Sequence, residues 1–220
     1  MGYRRTAASD KGFLIATLLA FCGLGLFAVP LPLLLAERFG LASEGVFAFY
    51  IALHAGIVLG YPFASRRIAR RGNRRVQIGA LGVRMLLFLT GGAYLLSASA
   101  MPPTPILAVF FLIIGVTWSY FQLSGVALAS RLAKPEYRGQ ALGLYNAASG
   151  LGSILAGATS GYLARGVGYP AVYFAAALFL AAAVIVLFRL PDPANTEEGV
   201  FPFASTPLEE TIAPPFSPPE

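Results

Sequence analysis

Apolar windows of bilayer length recur along this chain, and no other feature narrows its fold so far. Six of them cover roughly 13–36, 45–64, 76–98, 105–130, 140–163 and 169–189. At 1.5 Å of rise per residue, each is long enough to cross a hydrocarbon core of about 30 Å as a helix. Hydrophobic residues make up 57% of the 220 and charged residues only 12%, about half what a soluble domain uses to cover its surface. The surplus must face something other than water, so the expected fold is an all-α integral membrane bundle of six transmembrane helices.

The first window is not a secretory signal. It outruns the 7 to 15 residues of a signal's apolar region, contains Pro30 and Pro32, and lacks a small-x-small cleavage site. The single cysteine, Cys22, falls inside it, which rules out an intrachain disulfide and a thiolate metal cluster.

The net charge of +6 has a distribution that points to topology rather than to nucleic acid. Arg66, Arg67, Arg70, Arg71, Arg74 and Arg75 crowd the short connection between windows two and three, and so basic a loop is expected to stay cytoplasmic. Threading outward from it puts Arg4, Arg5 and Lys11, then Arg131, Lys134 and Arg138, and finally Arg189 on the same side. Only Arg38 and Arg165 fall opposite and Arg84 falls within a span, so thirteen of sixteen cations agree with six crossings and two cytoplasmic termini.

Composition divides the chain into a cytoplasmic amino terminus (1–12), the six-helix domain (13–190) and a Pro- and Glu-rich stretch (191–220). That last stretch is too polar to offset its chain entropy and is expected to be a disordered cytoplasmic tail or linker. Pro102, Pro103 and Pro105 divide the bundle into two triplets. These match faintly at an offset of 95, Tyr50 with Tyr145, Ala52 with Ala147 and Ile68-Ala69-Arg70 with Leu163-Ala164-Arg165. Three crossings per copy force the second copy upside down, the inverted-repeat plan of secondary transporters.

Two stretches then carry a family resemblance. Ser65-Arg66-Arg67-Ile68-Ala69-Arg70-Arg71-Gly72-Asn73-Arg74 keeps Arg70, Gly72 and Arg74 of the loop G-x-L-A-D-R-x-G-R-R, with Ser65 for the first glycine and Ala69 for the aspartate. Pro135-Glu136-Tyr137-Arg138-Gly139-Gln140-Ala141-Leu142-Gly143 is similar to a later helix connection of the same family. Over residues 12 to 190 the chain resembles the major facilitator superfamily, and its carboxy-terminal half more than its amino-terminal one. The resemblance implies half of a twelve-helix carrier that works by alternating access, with Arg70, Gly72, Arg74, Arg138 and Gly139 in conformationally active loops. It also implies that helices one, two, four and five surround the pathway while three and six face outward. Half size raises a split gene, a fragment or a carrier assembled from two copies. The missing aspartate puts the family's charge relay in question.

Candidate site residues come from polar groups within the spans. Trp118 and Gln122 in span four, Asn146 and Ser149 in span five and His54 in span two are the expected substrate-binding set, because pockets join apolar walls to a few placed polar groups. His54 is the only histidine, and an intramembrane ionisable group is a functional suspect; a ring held by a backbone carbonyl is the alternative reading. Gly143, Gly150, Gly157 and Gly161 recur on one face of span five and are expected to admit a close-packed helix. Arg84, about 12 Å into span three, is expected to snorkel back as an anchor.

All ten carboxylates lie at span ends or in the tail, which leaves none at mid-membrane for ion coupling. An intramembrane serine protease fits poorly, since neither Leu123-Ser124-Gly125 nor Ala148-Ser149-Gly150 has the leading glycine and His54 precedes both. No phosphate-cradling or metal-ligand motif appears, so no enzyme activity, cofactor or nucleic-acid partner is expected. The expected partners are a small solute, the bilayer (a plasma or inner membrane) and either a second copy or a separate six-helix half. A non-transporting remnant or membrane scaffold is the alternative.

Overall fold

The computed structural model describes residues 2–97, 102–133 and 135–190; the stretch 191–220, read above as a tail, lies outside the described residues. Six long helices account for nearly all of them. Helix α1 runs Gly2–Ala28, α2 Ser43–Arg71, α3 Asn73–Ser97, α4 Thr104–Leu132, α5 Arg138–Gly166 and α6 Tyr169–Arg189. Five are long and apolar enough to cross a membrane, α1 together with its continuation to Arg38 counting as one. Helix α5 matches the longest of them at 29 residues, about 43 Å, but its glycines, serines and Asn146 dilute its apolar character.

Helix ends follow local chemistry. At the end of α1, Pro30 and Pro32 lack the N–H that would continue the ladder, and the chain proceeds as a short turn, Leu31–Leu33, and a π-helical turn, Leu34–Arg38. Helix α2 closes at Gly72, whose φ of +79° is a left-handed-side conformation that costs a side chain energy but not glycine. Its N–H bonds Ile68 O at 2.9 Å. Gly168, with φ +99°, makes the equally tight passage from α5 to α6.

The two triplets repeat one another in their boundaries more clearly than in their side chains. Adding 95 to the limits of α2 gives those of α5, and the closing bonds Gly72 N–Ile68 O and Val167 N–Leu163 O obey the same offset. The main helix contacts share the symmetry. Helix α1 lies along α5 as α4 lies along α2, α1 meets α6 as α4 meets α3, and α3 and α6 face each other. The pairs α1–α5 and α2–α4 run parallel, while α3 runs antiparallel to α4 and α6. An inverted repeat of three helices has this arrangement.

Glycine sets the closest approaches. Residues 49, 56, 60, 64 and 68 form the buried ridge of α2, and Gly56 and Gly60 within it lie against Leu112, Val116 and Ser119 of α4, while Gly115 of α4 lies against Leu53. On the other pair, a Cβ added to Gly152 would stand 2.6 Å from Leu18 O, and one added to Gly25 would stand 2.7 Å from Ala156 Cβ. Such approaches let backbones touch in lipid, where apolar burial supplies little drive for helices to associate. Elsewhere the core is aromatic, with Phe27 stacked on Phe88 at 4.5 Å and Tyr173 set edge-on to both. Helix α6 turns Val172, Ala176, Ala183 and Leu187 inward and Leu178, Ile185 and Phe188 outward.

Candidate functional site

Buried polar side chains gather where α3, α4 and α5 meet. The inner face of α3 steps through Asn73, Gln77, Arg84 and Phe88, all buried, at the helical spacing that keeps them on one side. Opposite lie Thr117, Trp118, Gln122 and Gly125 of α4. Because Gly125 has no side chain, Tyr145 Oη of α5 and Gln77 Nε2 both reach it; a Cβ there would stand 2.8 Å and 3.3 Å from them. Buried hydroxyls along α4 are satisfied by carbonyls one turn back, as in Ser124 Oγ to Tyr120 O at 2.6 Å. The Tyr145 hydroxyl, Gln77 Oε1, Gln122 Oε1 and the Asn73 amide have no hydrogen-bond partner within the chain. Polar atoms so placed in a membrane protein require a partner from elsewhere.

Arg84 departs from expectation. It does not snorkel; only 4% of it is exposed. Its Nε donates to Thr117 Oγ1 at 3.2 Å and its Nη2 to Ile114 O, while Cζ lies 5.5 Å from the centre of the Trp118 ring. Depth along a helix says nothing of direction around it, and Arg84 shares the inward face with Gln77, seven residues earlier.

The expected substrate set divides in two. Trp118 and Gln122 are half-buried inside the bundle, and Phe21 of α1 bridges the rings of Trp118 (6.1 Å) and Tyr145 (6.3 Å). Asn146 and His54 lie on exposed faces of α5 and α2, and Ser149, half-buried, turns its Oγ back to Asn146 O at 2.8 Å. His54 Nδ1 donates to Tyr50 O at 2.7 Å, the backbone-held arrangement that formed its alternative reading, and Nε2 is left as the acceptor of a neutral ring.

The glycine series of α5 is also open. Around Gly139, Gly143, Gly150 and Gly161 an added Cβ would meet nothing within 4 Å, and at Gly157 only Val29 at 3.8 Å. The helix that packs closely on α5 uses Gly152 and Ala156 instead. Reading the sequence missed this face, and it missed Gly56-x-x-x-Gly60-x-x-x-Ala64 on α2, although four-residue spacing of small residues would have revealed it.

The loop between α2 and α3 has a defined job. Arg74 donates from Nε to Leu187 O at 2.8 Å and from Nη2 to Phe188 O at 2.7 Å, capping the last turn of α6. Those carbonyls have no partner within their own helix, and a cation suits the negative end of the helix dipole. With Ala69 in place of an aspartate, this cap is the loop's observed charged interaction with the bundle. At the far end, Tyr169 Oη donates to Glu37 Oε2 at 2.8 Å and ties α6 to the continuation of α1.

Six helices in two inverted triplets, lined by buried polar groups and joined by an arginine-bearing loop, define a polytopic membrane protein of the transporter class. The family model for the Major Facilitator Superfamily matches residues 13–219, and the chain belongs to that family. No match is found among curated proteins.

Proposed function

We propose that this bundle is a half-size carrier module that moves a small solute by alternating access, rocking as a unit against a second six-helix body. The observation that carries this reading is the composition of the open faces. Helices α2 and α5, equivalent in the repeat, turn His54 and Asn146 out of the isolated bundle. Hydrocarbon cannot solvate an amide or an imidazole, and leaving one unpaired there costs roughly 2–7 kcal/mol. A face that mixes such groups with open glycines suits a second bundle and a hydrated cavity between the two. Under this reading the partner is a second copy or a separately encoded half, the arginine-rich loop lies in the cytoplasm, and Trp118, Gln122 and Asn146 face the solute.

The test is flux in reconstituted vesicles together with the particle mass in mild detergent. Solute movement that falls on Gln122→Ala or Asn146→Ala, from a particle holding two bundles, supports the carrier. A stable single bundle with no flux of any solute would instead mark a non-transporting scaffold.

A further inference from the structure

We infer that the solute carries a negative charge and that Arg84, held behind Trp118, is the residue that selects it. This inference deepens the carrier reading by naming its substrate class, and it rests on that reading.

Two independent observations converge on it. The first is that Arg84 is a guanidinium inside the bundle whose hydrogen-bond acceptors, Thr117 Oγ1 and Ile114 O, are both neutral. A buried cation is costly unless an anion or strong dipoles offset it. The carboxylates described in the structure, Glu37, Glu44 and Glu136, are all exposed at helix ends, so the interior keeps an uncompensated positive charge. Intramembrane arginines commonly mark a solute or ion path.

The second is the position of Trp118. One face of its indole covers Arg84, Phe21 meets the ring edge-on, and the residue is only half-buried. An anion resting against the other face would stand roughly 9 Å from the guanidinium, the 5.5 Å to the ring centre plus about one van der Waals contact. At an effective dielectric constant of about 20, a unit charge at that distance gains about 20-fold in affinity over a neutral isostere. A cationic solute loses by the same factor. Gln122, one turn along α4 from Trp118, offers an amide to the polar part of the same solute. A purely structural strap between α3 and α4 would need no charge, because a neutral donor can bond Thr117 and Ile114 equally well.

Trp118 is the chain's single tryptophan, so its emission reports on this place alone. The full chain in mild detergent is titrated with acetate, benzoate and phenylacetate, with benzamide as the neutral counterpart and benzylamine as the cation. The expected result is a saturable change with at least one carboxylate and about 20-fold weaker binding of its neutral counterpart. Arg84→Gln removes that preference and Arg84→Lys keeps it. The wild-type comparison of benzoate with benzamide needs no variant, so misfolding of Arg84→Gln leaves the inference open to refutation. Equal binding of benzamide, preference for benzylamine, no response to any carboxylate, or a preference that survives in folded Arg84→Gln would each overturn it. Carboxylate binding without flux would refute the carrier and leave the anion site standing. Flux of neutral or cationic solutes without carboxylate preference would do the reverse.

Discussion

Two glycines of α5, two residues apart, face opposite environments, and substituting each by alanine separates packing from helix propensity. At Gly152 the new methyl would arrive 2.6 Å from Leu18 O, 3.0 Å from Phe21 Cβ and 3.1 Å from Cys22 N. Ordinary carbon–oxygen contact begins near 3.2 Å, so α1 and α5 must part by roughly 0.6 Å along their shared seam. Two of the three obstacles are backbone atoms, which cannot swing aside as a side chain can. Overpacking of this kind costs about 1–3 kcal/mol. At Gly150 the methyl meets nothing within 4 Å, and replacing a mid-helix glycine gains up to about 1 kcal/mol. The two variants should therefore differ by about 2–4 kcal/mol, with opposite signs against the wild type, a large share of a typical stability. Equilibrium unfolding of the monomeric fraction in mixed micelles, followed by circular dichroism, measures both. Equal stabilities, or a stable Gly152→Ala beside a weakened Gly150→Ala, would refute the assignment of the buried face of α5.

Three further outcomes follow from the same geometry. Arg74→Ala removes two charge-assisted bonds from the end of α6 and should destabilise the bundle by about 1–3 kcal/mol, with hydrogen exchange rising first around Leu187; Arg74→Lys should restore part of it. Gly72→Ala forces a side chain onto a φ of +79° with free space around it, so the loss should be about 1–2 kcal/mol from backbone strain alone, read as a lowered unfolding midpoint. Gly150→Leu should leave the stability of a single bundle near that of the wild type yet reduce the fraction that runs as a pair in mild detergent.

Much of the fold is legible in the sequence because bilayer thickness fixes helix length, and arginine placement fixes the number of crossings. The six windows fall within the six helices, save that the first runs on into the turns ending at Arg38 and the third ends at 98, one residue past Ser97. Helix α5 is the instructive case. Hydropathy alone would pass over it, whereas its glycine spacing and the Pro135–Gly143 connection mark it. The repeat is faint in side chains because an inverted copy keeps helix ends and packing partners, and lipid accepts many apolar residues in between. The site is only partly legible. Trp118 and Gln122 stand out by residue type, but the direction of Arg84 depends on which face of α3 meets α4, and Tyr145 joins the polar cluster only because Gly125 leaves it space.

The main helix pairings, α1 with α5, α2 with α4 and α3 with α6, all join one triplet to the other, and Arg74 of the first triplet clasps the final turn of the second. Neither set of three helices thus owns a core of its own. A ribosome that has released only the first triplet into the bilayer has made surfaces whose mates do not yet exist, so this protein must wait for its last helix before it can assemble at all. Severing it between Ser97 and Thr104 should yield two pieces that are each degraded alone and rescued when made together.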